Sequence, residues 1–349
     1  MLIKKERIPV SQLLLVGLLP SGIKKLVYRM KGYKIGKNVS LSLGSVVIGK
    51  DVTICDGAKI GFLTMVRGKE IHIGRFVKIG SMSIIDTEKI FIDEDARISE
   101  QVFIGGMRTP QSSLRLGKRT IIMQMSYINP TLPIEIGDDS GVGGHCLFFT
   151  HGSWSNQLDG FPVKFAPIKL GKKVWLPWRV FLMPGVTIGD NVVIGANSLI
   201  SSDIPSNSLA AGAPAKVIKS DYPKTPSLIQ KQEMLNQIFL DFKEFIEYSG
   251  FAITESKNEN GFELILKSTY AKSTLLYTHS DNEITSKIPD GDNALLIFSA
   301  DESKLKNLKS KGWKMVIAID DKLRIGTSDS GEEMTTFFSR YGVRFDRLD

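Results

Sequence analysis

The chain has 349 residues, 42% of them hydrophobic and 23% charged, with a net charge of +8. That suits a globular protein of two domains, or one elongated domain with an appendage. Residues 1–37 carry nine basic residues against Glu6, whereas the rest holds 36 of each sign, which excludes a groove-wide nucleic-acid footprint; two cysteines, Cys55 and Cys146, cannot form a disulfide framework and point to a reducing, cytoplasmic compartment.

Residues 1–34 read as a basic amphipathic helical segment. The run "LLLVGLLP" (Leu13–Pro20) is far shorter than the ~20 apolar residues that span a bilayer, and no small-residue cleavage site follows it. Two roles stay open and are compatible. The segment caps the end of the next domain, or its leucines and lysines lie on an anionic membrane surface, at the inner face.

From Ile35 to Lys219 the chain repeats every six residues: "IGKNVS" at 35, "IGKDVT" at 48, "ICDGAK" at 54, "IGRFVK" at 73, "IGSMSI" at 79 and "IDEDAR" at 92. It resumes with "LGKRTI" at 116, "IGDDSG" at 136, "VGGHCL" at 142, "LGKKVW" at 170, "IGDNVV" at 188 and "IGANSL" at 194, with "MPGVTI" at 183 out of phase. A period of six gives one short parallel strand and one turn per repeat, and three repeats close one coil of a solenoid. The aliphatic first residue and the small fifth residue face the narrow interior. The Gly or Asp at position two is expected at the bend, where Gly tolerates unusual dihedrals.

The stretches "IGDDSGVGG", "VWLPWRVFLMPGVTIGDNVVIGANSLISSDIP" and "AAGAPAKVI" resemble the hexapeptide-repeat acyltransferases, and most closely the sugar and polysaccharide O-acetyltransferases among them. The likeness covers about residues 35–219 and is specific over 128–219. It implies a mainly β protein built on a left-handed parallel β-helix. It also implies a homotrimer, with acetyl-CoA and a saccharide acceptor in clefts between neighbouring subunits. A lipid-linked acceptor would suit a membrane-touching N-terminal segment.

Two of the four histidines lie six residues apart in "GGHCLFFTHGSW". Val142 and Phe148 open successive hexads, so His145 and His151 are both fourth residues, pointing outward near corners of consecutive faces. Their rings should diverge, which disfavours a shared metal with ligand atoms ~2 Å away. A zinc hydratase is built on the same helix but needs three converging histidines. His72 is the third in this domain, several coils earlier, so no metal is expected. The resemblance singles out His151, at "TH" before an excursion from the coil, as the general base; an imidazole with pKa ~6.5 suits removal of a hydroxyl proton near neutral pH. His145 is expected to line the neighbouring face or the subunit interface, on the acceptor side. Cys146 falls at the inward fifth position and reads as a core thiol.

The resemblance further assigns Asn129, in "SYINPT", to the acceptor, although Asn-Pro is equally a turn signal. Glu135 is the nearest carboxylate but has no clean counterpart in the family. The run Gly152–Pro167 leaves the coil and offers Trp154, Phe161 and Phe165 as cover for the acceptor or as packing against the adjacent subunit. For acetyl-CoA the resemblance points to Trp175, Trp178 and Ala196, with backbone N–H groups after Leu176 polarising the carbonyl. Pro177 departs from the family by lacking that donor. In "AAGAPAKVIK", Ala211 and Gly212 let the cofactor approach, and Lys216 and Lys219 suit its phosphates.

Residues 220–349 read as a helix plus a small α/β or α+β domain. "SLIQKQEMLNQIFLDFKEFIEYSG" (227–250) is an amphipathic helix with Ser227 as N-cap and Gly250 as stop, expected along its own β-helix or paired with a neighbour. Strands follow in "FELILKS", "STLLYTH", "ALLIF", "WKMVIAI" and "LRIG", with helices at 301–311 and 331–341. His279 stands alone there. The sequence thus favours an acetyl-CoA-dependent O-acetyltransferase acting on a sugar hydroxyl of a surface polysaccharide or its precursor. N-acetylation of an amino sugar and a non-catalytic trimeric glycan-binding scaffold remain as alternatives.

Overall fold

The computed structural model describes residues 10–152, 155–258, 261–267, 272–278 and 288–348. The chain divides into two compact units, one running to Lys224 and the other from Thr225. The first unit is a left-handed parallel β-helix with three faces.

Its inward ladders follow the repeat. On the first face Ile35, Ile54, Ile73, Ile92, Leu116, Ile136, Leu170 and Ile188 stack in register. On the third, Val47, Val66, Ile85, Ile104, Ile128, Phe148, Leu182 and Ile200 do the same. Almost all are fully buried, each contributing ~1.5–3 kcal/mol of transfer free energy.

Two features differ from the six-residue expectation. The first is the coil. Ile35 to Leu41 and Leu41 to Val47 each take six residues, but Val47 to Ile54 takes seven. The hexad at Ile48 is therefore out of phase: Val47 is the inward residue, and the corner between the third and first faces is one residue wider.

The second is the bend. Left-handed residues fall at position four, not position two: Asn38, Phe76, Asp95, Arg119, Asp139 and Lys173 at the first–second corner, and Leu63, Met82, Gln101, Met125, His145, Arg179 and Asn197 at the second–third. Position-two glycines have ordinary dihedrals. They are small because the next coil passes close by: a Cβ on Gly143 would lie 2.5 Å from the Pro177 carbonyl carbon. Among the described residues the third–first corner has left-handed residues at Gly160, in the excursion from the coil, and at Gly185, where the spacing from Leu182 to Ile188 falls back to six.

The helix Ser21–Met30 closes the open end of the solenoid, where strand edges otherwise lack partners. Ser21 Oγ accepts from the Leu41 amide at 3.0 Å. Tyr28 Oη accepts from Val47 N–H. Tyr33 Oη accepts from Gly49 N–H and donates to its carbonyl. Lys24, fully buried, donates to the Ser42 and Ser45 carbonyls and to Ser45 Oγ; burial lowers its pKa. Among the described residues no helix is long and apolar enough to cross a membrane.

At the other end, the hairpin Ser208–Gly212 and Ala215–Ser220 joins the second face, the first strand parallel to Val192–Ile194 and the second turning back.

The second unit is a seven-stranded mixed sheet whose strands lie in chain order, from Ala252–Asn258 to Asp346–Arg347. Helix Leu228–Tyr248 starts with a reciprocal capping box between Ser227 and Gln230. Leu235, Phe239, Phe242 and Ile246 pack with Leu264, Tyr277, Leu296 and Phe338 in this unit's own core. The strand Ala252–Asn258 was not legible in the sequence: its residues, "AITESKN", have only two apolar members. His279 lies outside the described residues.

Candidate functional site

The two corners that flank the third face divide the candidate residues between them. His145 sits in the second–third corner. It is exposed and left-handed (φ 57°), and its N–H donates to Gln124 O at 3.1 Å. In the next coil Arg179 N–H donates to Gly144 O, and in the next again Asn197 N–H donates to Trp178 O. His145, Trp178 and Ala196 therefore rise along one edge. The Trp178 ring lies 5.6 Å from His145 and covers Gly144, where a Cβ would meet the six-membered ring. Trp175 covers Gly141 on the second face in the same way. The absence of side chains on these glycines lets each indole lie against the coil before it.

The edge continues into the terminal hairpin. Gly212 N–H donates to Ser198 Oγ at 3.1 Å, and that hydroxyl donates to Gly195 O. A Cβ on Gly195 would stand 2.6 Å from that of Ala211. Ala196 and Gly212 are exposed, as are Lys216 and Lys219. Lys216 pairs in register with Ala211, and Lys219 with Leu209. The edge is thus narrow-walled, free of bulky side chains beyond Trp178, and flanked by two lysines at its end.

His151 belongs to the other, wider corner, so the two histidines sit in corners of different construction. The left-handed turn expected for a fourth residue is absent at His151. Instead the chain leaves the coil: His151–Gly152 pairs antiparallel with Lys164–Phe165. Between them lies a short 3-10 turn, Gln157–Asp159, capped by the Asn156 side chain. The imidazole stacks on Phe165 at 5.6 Å, with 17° between the planes. The ring is half-buried, and its Nδ1 is fully buried with no hydrogen-bond partner among the described residues. Phe161 is exposed. Trp154 lies outside the described residues.

Asn129 sits one coil before His151, at the end of the third-face strand, paired in register with Phe149. It is 5% exposed. Its Oδ1 accepts from Thr131 Oγ1 at 2.8 Å, while its carbonyl accepts from Thr150 Oγ1. Its side-chain oxygen therefore serves the corner. Glu135 projects from the first face between Arg115 and Lys169. His72, on that face, stacks on Phe91 at 4.7 Å, away from the other two histidines. Cys146 is buried, and its Sγ donates to Pro177 O; burial pushes the thiol up to about 11.

One feature escaped the sequence reading. Phe103, Tyr127, Phe149 and Phe181 stack along the third face, with centroids 5.1, 5.4 and 5.5 Å apart. Phe103, Tyr127 and Phe181 each occupy the outward sixth position of a second-face hexad, one residue before the inward Ile104, Ile128 and Leu182 of the third face. A tally of aromatics at that position would have found three of the four rings; the other, Phe149, lies two residues before His151.

No family model matches the chain. It is 31% identical over 124 residues to the putative colanic acid biosynthesis acetyltransferase WcaF of Escherichia coli, a match covering 30% of this chain and 68% of that protein. It is 31% identical over 121 residues to a probable acetyltransferase of Mycobacterium tuberculosis, covering 33% of this chain and 39% of the other. It is 55% identical over 53 residues to the galactoside O-acetyltransferase of Escherichia coli, covering 15% and 26%. The chain spans less than half the length of these last two relatives.

Proposed function

The chain belongs to the hexapeptide-repeat acyltransferase family, and from that premise we propose that it is an acetyl-CoA-dependent O-acetyltransferase. Its acceptor is a sugar hydroxyl of a surface polysaccharide or of a precursor of one, and His151 is the general base. The observation that carries this reading is the orphaned ring nitrogen. A buried polar atom without a partner costs ~1–3 kcal/mol, so each one in a native fold calls for an explanation, a catalytic role among them. His151 Nδ1 is such an atom, on a titratable ring held flat by Phe165, where the chain opens away from the coil.

In this reading acetyl-CoA supplies the activated acetyl group. His151 accepts the proton of the sugar hydroxyl as its oxygen forms the new ester bond, then returns the proton to the departing thiolate. Phe165 fixes the ring plane. The stacked rings from Phe103 to Phe181 offer the apolar face on which a pyranose rests. The edge of Trp178, Ala196, Ala211 and Gly212 fits the slender pantetheine arm, and Lys216 and Lys219 fit its phosphates. That edge and His151 lie on different corners of one chain. A homotrimer in which a neighbour's second–third corner faces the His151 corner would bring them together.

The test is thiol release from acetyl-CoA in the presence of a panel of saccharides. His151→Ala should lose about 10²-fold or more of transfer, with unchanged thermal unfolding. Full transfer by His151→Ala together with loss in His145→Ala would overturn the assignment. Failure of the wild-type chain to bind CoA would remove the enzymatic reading.

A further inference from the structure

The N-terminal helix uses only one of its faces to close the solenoid. Ser21, Lys24 and Tyr28, spaced three and four residues apart, all point at the first coil and satisfy its free backbone groups. Ile23, Leu26 and Met30, with the same spacing, lie on the opposite side of a 3.6-residue helix. They are exposed, Met30 by 80%. Leu14, Leu15 and Leu18, just before Pro20, are exposed too, Leu15 by 73%. Six large apolar side chains in seventeen residues thus do nothing for the fold that the described residues show, and scattered single exposures of this kind would be unremarkable only if they were not so concentrated.

The charges around them are of one sign. No carboxylate occurs between Arg7 and Asp51. Lys25 and Arg29 stand one turn apart beside the apolar face, and Arg29, Lys31, Lys34 and Lys37 are exposed. The cap engages Lys24, and Arg29 Nη2 donates to the Ile35 carbonyl; Lys31, Lys34 and Lys37 are left exposed around the apolar face. A second copy of this chain would bring the same cations against each other. An anionic lipid surface answers both properties: the leucines enter the headgroup boundary while the basic side chains stay at its level.

We infer that residues 14–37 form a peripheral docking surface for an anionic bilayer, formed by the same helix that caps the β-helix. The inference stands apart from the catalytic reading, because neither His151 nor the cofactor edge enters it.

The full-length chain should float with vesicles of phosphatidylcholine containing about 30% phosphatidylglycerol, and not with phosphatidylcholine alone. Raised salt should weaken the binding. Leu26→Asp with Met30→Asp should cut partitioning about tenfold or more without lowering the unfolding temperature, because both side chains are exposed. Lys25→Glu with Lys31→Glu should also cut it, while leaving the apolar face intact. Three results would overturn the inference: no flotation with either vesicle, equal flotation with both, or a Leu26/Met30 variant that changes oligomeric state while binding vesicles as the wild type does.

Discussion

The Tyr28 hydroxyl accepts the amide proton of Val47 at 2.8 Å, so a residue from outside the repeat completes the first turn of the solenoid. The pair is buried on both sides, and burial pushes the phenol up to about 12. Tyr28→Phe keeps the ring and its stacking on Tyr33 but leaves the Val47 N–H without a partner. A loss of ~1–3 kcal/mol is expected in urea unfolding. Lys24→Met should cost about as much, since the Ser45 carbonyl loses its donor and the Ser42 carbonyl loses one of three. A change below ~0.5 kcal/mol in both variants would mean that the first coil does not depend on this cap.

A second expectation concerns the cofactor edge. Gly144 leaves room for the Trp178 ring, which a Cβ there would meet. Gly144→Ala should push the indole away from the coil and off its position beside His145. Under the proposed function, KM for acetyl-CoA should rise several-fold to about tenfold, one tenfold step being ~1.4 kcal/mol of binding, with a smaller change in kcat. Intrinsic tryptophan fluorescence would report the displaced ring independently of activity. An unchanged KM alongside a shifted spectrum would separate Trp178 from the cofactor.

The period of six was visible because interior packing enforces it at Ile54, Ile73 and Ile92 regardless of what lies outside. Phase was harder to read. "IGKDVT" at 48 and the true inward Val47 are both aliphatic, so nothing in the letters shows that one corner is a residue wider. The same ambiguity made His145 and His151 look equivalent, because both count as fourth residues. Only the backbone separates them: His145 has φ 57°, and His151 pairs with Phe165 in a hairpin instead. The cap was partly legible. An amphipathic segment before the repeat suggested it, but a lysine in a basic run gives no sign that Lys24 in particular will be buried. In the second unit, the Leu228–Tyr248 helix was readable from its spacing, its N-cap Ser227 and its stop at Gly250, whereas its packing partners were not. Those partners are distant in sequence, and their pairing is decided by a sheet whose first strand, Ala252–Asn258, is mostly polar.

Cys146 should be chemically silent. Its thiol is buried, donates to the Pro177 carbonyl and titrates near 11. Near pH 8 the buried group is held overwhelmingly as the thiol, out of reach of reagent. Cys55, half-buried, also has a raised pKa, from burial and then from Asp56, but it should label first with a thiol-specific disulfide reagent. Cys146 should react only on unfolding. Cys146→Ala should retain most of the transfer activity at some cost in stability. If the variant folds and transfer is abolished, direct attack on the thioester gives way to a covalent acetyl-cysteine step.

The second unit should weaken in acid through Asp292. Burial pushes this carboxyl up, but the Ser330 N–H and Oγ, the Ser273 side chain and the Asp329 N–H together outweigh that and hold its pKa below the usual carboxylate range. Ser328 Oγ donates to it as well, so one carboxylate on the strand Asp292–Ile297 anchors the start of the helix Asp329–Phe338. A depressed native pKa means that the unfolded chain binds the proton first. The stabilisation is therefore complete above the unfolded value of ~3.9 and is lost as pH falls through the lower, native value. Asp292→Asn should cost ~1–3 kcal/mol near pH 7, and the gap to wild type should close as pH falls below about 4. Urea unfolding across that range measures it; a gap that stays constant would show that charge at Asp292 contributes nothing beyond the hydrogen bonds an amide can keep.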